Sequence, residues 1–415
     1  MKWIYRIIFL STLAILAWHS LAWRSAGIGP SDFIDSNPLQ EPISWYLFPL
    51  AHPDTWLKLS TKALAQGDEK KAYQSALFAF LHDPGNGRAA IQMMHILKRQ
   101  SKDIEARELA ELATNLWQAD SYTHAQLANF WLDQNQPGRV ISEWSQLIIR
   151  NPSKYQRELF PIFKQLLETQ EGFTLLTPYM LDPPSWWNAF FNYLVAQNTE
   201  TELITTIYQQ RLQSQVPVNE VERRALTRYL LKGKQYAQAY FLWLSGLDEA
   251  NLKLNRIIHD GGFEGKIYNS GFDWQYRNQN GVKFMVASTT GAKGHKAINL
   301  KLNTQNLNFQ HLSQLLQMSS GSYTLSFKYR VDRLQTDGGL SWRVRCLENN
   351  QIVAESPSLS NRSPWSTVSV PFDIPSENCS TQILRLEASS QYAHRRNFKG
   401  SLWFDQVEIS RKTTP

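Results

Sequence analysis

Gly67-Asp-Glu-Lys-Lys-Ala72, continued by Ala76, Ala79 and Asp83-Pro84, is the stretch that decides how the first half of this chain folds. Small residues three and four apart share one face of a helix, and a proline just beyond them stops it. The same columns recur downstream at a 34-residue interval: Gly67, Ser101 and Asn135; Ala72, Ala106 and Val140; Pro84, Gln118 and Pro152. Three columns with one period indicate an array of repeated helix pairs. The units run over 54–86, 88–120 and 122–154, with His52-Pro53-Asp54 as a stop-and-cap signal ahead of them. From 155 to 250 the period degrades while helices continue, over 155–168, 173–181, 186–197, 202–213, 220–231 and 236–247. Asp182-Pro183-Pro184 breaks this stretch in two, and Lys234-Gln-Tyr236-Ala again starts a helix of the repeated kind. Trp117, Trp131, Trp144, Trp186, Trp187 and Trp243 read as packing between units or as lining of a groove.

Composition narrows the function classes. A 415-residue chain exceeds one ordinary core. Its mean hydropathy of −0.40 excludes a polytopic membrane protein. The net charge of +7 suits an anionic partner, but no long Lys/Arg run or zinc-finger pattern points to nucleic acid.

At the amino terminus Lys2 and Arg6 precede an apolar run from Ile7 to Trp23. Positive charge before such a run orients it with the basic end cytoplasmic. Residues 1–24 read as a signal anchor, with a cleaved signal peptide at Ser20-Leu-Ala22 as the alternative. After a linker at 25–53, the body is expected to be exported: an inner-membrane, single-pass bacterial protein with a periplasmic body, or a secreted periplasmic one.

Near His259 the helical period gives way to alternation. Strands are expected over 297–303, 322–331, 340–347, 351–355, 366–374, 382–388 and 401–409, which indicates an antiparallel β-sandwich over 255–415. Leu325, Phe327, Tyr329 and Val331 alternate with Lys328 and Arg330; Trp342, Val344 and Cys346 with Arg343 and Arg345; Leu384 and Leu386 flank Arg385. If these strands share a sheet, its outer face is a basic ladder.

The stretch from Gly67 to Pro84 resembles the second helix of a tetratricopeptide repeat. Gly261-Gly-Phe-Glu264 and Leu402-Trp-Phe-Asp405-Gln-Val-Glu-Ile409, with Phe272-Asp-Trp274 and Gly321-Ser-Tyr-Thr-Leu-Ser-Phe327, resemble the opening, closing and intervening segments of jelly-roll carbohydrate-binding modules of the galactose-binding-like class. Together the parts resemble tetratricopeptide proteins of bacterial exopolysaccharide assembly systems. The fold class implied is multidomain, α plus all-β: a membrane helix, an α-solenoid of tetratricopeptide-like pairs and a C-terminal jelly roll. The resemblance implies a structural calcium on Glu264 and Asp405, against the simpler reading that they hydrogen-bond across strands.

Candidate glycan contacts are Arg343 and Arg345, whose guanidinium groups fork onto carboxylates, with Trp274, Trp365 and Tyr392 to stack on sugar rings and Arg395 at the border. An ordinary solvated face and core packing are the competing readings. In an exported chain Cys346 and Cys379 suit a disulfide, and otherwise two small apolar residues. No Walker loop, nucleophile elbow or zinc-protease motif occurs. The expectation is a non-catalytic periplasmic scaffold of polysaccharide assembly or export, with protein partners on the repeats and an acidic polysaccharide on the sandwich. Its rivals are an envelope adaptor that binds only protein, and a polysaccharide-modifying enzyme.

Overall fold

The computed structural model describes residues 53–116, 120–360 and 363–412. The N-terminal segment read as a membrane helix, and Trp117 and Gln118, lie outside them. Among the described residues no helix is long and apolar enough to cross a membrane. The described residues form thirteen α-helices and two antiparallel sheets.

The chain divides into two compact units: one through Tyr193 with Thr201–Val216, the other Leu194–Glu200 with the chain from Pro217 onward. In the first, α1 (Pro53–Ala65), α3 (Gly87–Arg99) and α5 (Ser121–Asp133) alternate with α2 (Glu69–His82), α4 (Asp103–Thr114) and α6 (Pro137–Arg150). Consecutive helices pack, and α1 also touches α3 as α3 touches α5, so the hairpins stack. Gly67, Ser101 and Asn135 are all left-handed, at φ 79°, 59° and 53°. That column is therefore the turn that reverses the chain inside each hairpin, where a left-handed residue is needed. Lys234, at φ 58°, holds the same place before a later helix. Ala72, Ala76, Ala79, Ala106, Ala110 and Ala113 are fully buried, and their lack of bulk lets helix axes approach. Asp68, Asn86 and Asp120 cap helices by accepting the N–H of Lys71, Ala89 and Thr123.

Beyond α6 come α7 (Pro152–Leu167), α8 (Gln170–Leu181), α9 (Trp187–Ala196) and α10 (Thr201–Leu212). Trp131, Trp186 and Trp187 are buried, so these rings pack among neighbouring helices of the first unit and do not line a groove. His124 is also buried: its Nδ1 lies 2.6 Å from Glu143 Oε2, and Thr114 Oγ1 donates to Glu143 Oε1 over 2.7 Å.

The second unit takes in α11 (Glu220–Lys232), α12 (Tyr236–Leu244) and the short α13 (Glu249–Leu254) together with all ten strands. The hairpin α11–α12, read from the sequence as part of the helical array, belongs by its packing with the sandwich. Trp243 stands edge-on to His259 at 5.1 Å, Tyr240 edge-on to Phe272 at 5.0 Å, and Arg224 lies over Tyr268 at 4.9 Å. Gly271 (φ 64°) lies against the Trp243 ring, where a Cβ would come within 2.5 Å.

The strands are β1 (Gln275–Tyr276), β2 (Val282–Ala287), β3 (Ala297–Thr304), β4 (Leu312–Leu316), β5 (Gly321–Gln335), β6 (Leu340–Cys346), β7 (Ile352–Glu355), β8 (Ser363–Ile374), β9 (Gln382–Ala388) and β10 (Phe398–Arg411). They form one sheet ordered β1-β4-β9-β6-β7 and a second ordered β2-β3-β10-β5-β8. Between the sheets, Trp342 meets Trp274, Phe327 and Phe404 at ring distances of 5.8, 6.3 and 5.3 Å. Cys346 and Cys379 form a disulfide. The supposed basic ladder does not exist as one surface. Lys328 and Arg330 on β5 belong to the second sheet, while Arg343, Arg345 and Arg385 on β6 and β9 belong to the first.

Candidate functional site

A groove of about 890 Å³ opens on the outer face of the β2-β3-β10-β5-β8 sheet, lined chiefly by Lys301, Arg330, Asp332, Arg333, Ser363 and Ser401. An irregularity in β5 builds it. Ser401 pairs with Arg333, whereas the next residue, Leu402, pairs with Val331, so Asp332 is an extra residue in the ladder. Such a bulge re-aims side chains. Without it Arg333 would turn inward; instead Arg333 is exposed and Leu334 is buried. Gly400 makes the bulge sterically feasible: at φ 140° its missing Cβ would sit 1.3 Å from the Arg333 carbonyl oxygen.

Beside the groove stands an aromatic–cation stack. The Arg330 guanidinium lies 5.3 Å from the Trp365 ring and 5.2 Å from the Trp403 ring. Arg330 Nε donates to Asp332 Oδ1 over 2.8 Å, and Trp403 Nε1 donates to Asp332 Oδ2 over 2.9 Å. Trp365 Nε1 donates to the Thr290 carbonyl over 2.8 Å, and Arg330 Nη1 to Thr289 Oγ1 over 3.0 Å. Both indoles are half-buried and fixed by their N–H groups, which leaves ring surface open to solvent. Chemically the face offers flat apolar surface, polar groups that converge on it and excess positive charge.

The residues named from the sequence fall in four places. Trp365 stands in the stack. Trp274 is fully buried between the sheets, its Nε1 donating to the Asp260 carbonyl over 3.0 Å, so it cannot meet a ligand. Arg343 and Arg345 lie on the other sheet and are spent within the chain: Arg343 pairs with Glu355 at 2.8 Å and Glu387 at 3.0 Å, and Arg345 with Glu387 at 2.8 Å. Burial works against the charge on Arg343, but the carboxylates of Glu355 and Glu387 outweigh it and raise its pKa. Burial likewise opposes ionisation of Glu387, and Arg345 and Arg343 overcome it. Tyr392 is exposed, with Arg395 over its ring at 5.8 Å, in the connection between β9 and β10.

Glu264 and Asp405 do come together, because the opening and closing segments meet where Val407 N–H donates to the Gly261 carbonyl. Their oxygens serve the 293–296 loop, however. Glu264 Oε1 accepts the N–H groups of His295 and Lys296, and Asp405 Oδ2 accepts that of Lys293. Calcium takes six to eight oxygens. Among the described residues no group of three or more His, Cys, Asp or Glu is placed to hold a metal. The donors aimed at these carboxylates are amide hydrogens, so the residues present do not fit that ion.

Asp332, Arg333, Trp403 and Ser401 are not among the sequence candidates, and Arg330 enters there only as a member of the basic ladder. The alternation of Lys399, Ser401 and Trp403 with buried Phe398, Leu402 and Phe404 was the available signal for β10. Nothing in the sequence marks the bulge at Asp332.

No family model matches the chain, and no curated protein matches it. Solved structures similar to it include carbohydrate-binding modules. One is a CBM4 structure, at 14% identity and a TM-score of 0.28, over 37% of this chain and 99% of that one. Another is the CBM22-1 xylan-binding domain from Paenibacillus barcinonensis Xyn10C, at 16% identity and TM-score 0.26, over 37% and 93%. A third is TmCBM61 in complex with β-1,4-galactotriose, at 16% identity and TM-score 0.26, over 38% and 99%.

Proposed function

We propose that the β-sandwich is a non-catalytic glycan-binding unit whose contact surface is the outer face of β2-β3-β10-β5-β8. The observation that carries this reading is the open groove flanked by two half-exposed indoles locked in place by Asp332 and Thr290. Pyranose rings stack on such surfaces, and the neighbouring Arg, Ser and Asp groups suit hydroxyls. The stacked helical hairpins, read as tetratricopeptide-like, supply an extended surface of the kind that holds protein partners. With the N-terminal apolar run as an anchor, the whole reads as an inner-membrane protein with a periplasmic body, a scaffold of exopolysaccharide assembly or export.

The purified full chain is expected to be retarded in native gels that contain an envelope polysaccharide, with retardation reduced in Trp365→Ala. No retardation by any polysaccharide tested would favour the adaptor that binds only protein. Depolymerisation or modification of the polymer by the purified chain would overturn the non-catalytic reading.

A further inference from the structure

The groove continues into a row of cations that runs across the strands. On β2 and β3, Lys283 pairs directly with Lys301. Lys301 pairs with Ser401 on β10, and Ser401 with Arg333 on β5. All three cations are exposed on the same outer face, and among the described residues none has an ion-pair partner. Like charges directly opposite each other on adjacent strands destabilise a sheet. Lys283 lies on the edge strand β2, where a lysine also guards against edge-to-edge pairing, but its repulsion from Lys301 is relieved only by an anion from outside the chain.

The adjacent row adds apolar and aromatic surface and ends on Arg330. Met285 pairs with Asn299, Asn299 with Trp403, and Trp403 with Arg330. Met285 is exposed and Trp403 half-exposed, whereas Asn299 is buried with its Nδ2 donating to the Leu402 carbonyl. The face thus presents the apolar surface of Met285 and Trp403 beside a cationic row, two residues away along β2, β3 and β10 and three residues away along β5, where the bulge intervenes. Asp332, the carboxylate nearest this track, is already occupied by Arg330 and Trp403.

We infer that the ligand of this face is a polyanionic glycan, a polyuronate, whose chain lies across the strands from β2 to β5. Its ring faces rest on Met285 and Trp403, and its carboxylates meet Lys283, Lys301 and Arg333. Neighbouring strands are about 4.8 Å apart, close to the length of one sugar in an extended pyranose chain. Lys283 and Lys301 therefore stand about one sugar apart and Arg333 about two sugars beyond Lys301, with Ser401 between them, and Arg333 receives its carboxylate in bidentate fashion. Release of counterions from the polymer makes the binding salt-dependent.

This inference rests on the glycan-binding reading above, and the test separates the two. Binding of the full chain is measured with polygalacturonate, with the same polymer after reduction of its carboxyl groups, and with single-stranded nucleic acid. Polygalacturonate is expected to bind, and the carboxyl-reduced polymer and nucleic acid to bind at least tenfold more weakly. Lys283→Gln/Lys301→Gln is expected to lose at least tenfold in affinity for polygalacturonate and to show a shallower salt dependence. Both lysines are exposed, so a thermal midpoint no lower than that of the native chain checks that the variant is folded. Equal binding of the reduced polymer, or an unaffected double variant, overturns the polyanion inference and leaves the glycan reading standing. Nucleic acid bound as tightly as polygalacturonate also overturns it, because charge alone would then account for binding. Failure of every polysaccharide to bind overturns the glycan reading itself.

Discussion

Trp403 Nε1 donates a 2.9 Å hydrogen bond to Oδ2 of Asp332, the one residue that β5 carries in excess of its neighbour β10 at their bulge. Because Asp332 Oδ1 also accepts from Arg330 Nε, one carboxylate fixes both the ring and the cation beside the groove.

Asp332→Ala removes both acceptors at once. The Trp403 N–H and the Arg330 guanidinium then lose their anchor, while both groups remain close enough to solvent to be hydrated. Glycan affinity is expected to fall about tenfold, with a stability loss of only about 1 kcal/mol. Calorimetric titration and a urea melt check the two numbers, and a loss confined to stability would show that the pair has no part in binding.

His259 sets a pH dependence. Its ring is buried against Trp243, and burial pushes its pKa down from the ordinary 6.5 to about 4. A pKa depressed on folding means that stability is fully present above the unfolded value and is lost as pH falls from about 6.5 towards 4. Asp273 works in the opposite sense: burial, against the N–H groups of Tyr268 and Trp274, raises it to about 6. Its stability is therefore present at low pH and lost as pH rises through about 6, so the two partly cancel in the native chain. His259→Gln removes one of them. Relative to the native chain, this variant is expected to gain on the order of 3 kcal/mol between pH 7 and pH 4. Parallel denaturant melts at the two pH values, followed by tryptophan fluorescence, test the sign as well as the size.

The Cys346–Cys379 bond closes a loop with a sequence separation of 33. On the chain-entropy account its removal costs about 3 to 4 kcal/mol. Cys346→Ala/Cys379→Ala is expected to lower the denaturation midpoint of the sandwich and leave helical content intact. Equal melting with and without reductant would remove the bond from the account.

Within the helical hairpins, Glu143 is held by His124 and Thr114 in a site closed to water. Glu143→Ala strands both partners, and the expected cost is about 3 kcal/mol. Circular dichroism during a thermal ramp reads it directly, and a change below about 0.5 kcal/mol would contradict the role given to this buried cluster.

The columns of small residues carried the hairpins because a reversal needs a left-handed residue and close helix packing needs alanine. Both leave their mark at fixed spacing. The strands read from alternation match seven of the ten, since each has one face in the core. Three strands, β1, β2 (Val282–Ala287) and β4, have no counterpart in that reading; β1 is only two residues long, and β4, Leu312–Leu316, follows a stretch of Asn and Gln that reads as loop. Sheet membership was not legible at all: inward Phe327 and inward Trp342 look alike in sequence, yet they reach the core from opposite sheets. That is why Arg343 and Arg345 were read as an open platform, when Glu387, two residues after Arg385, closes it. The groove was hidden for a related reason. Its cations come from three strands, β2, β3 and β5, brought together by pairing, and its bulge has no signature in composition.

The central claim, that the β2-β3-β10-β5-β8 face is the glycan-binding surface, is tested most directly by comparing Trp403→Ala with Arg345→Ala in polysaccharide titrations of the full chain. The account predicts a loss of at least tenfold for Trp403→Ala, from lost stacking of about 1 to 3 kcal/mol, and native affinity for Arg345→Ala wherever it remains folded. Native affinity in Trp403→Ala, together with a large loss in folded Arg345→Ala, would contradict it and return the site to the opposite sheet.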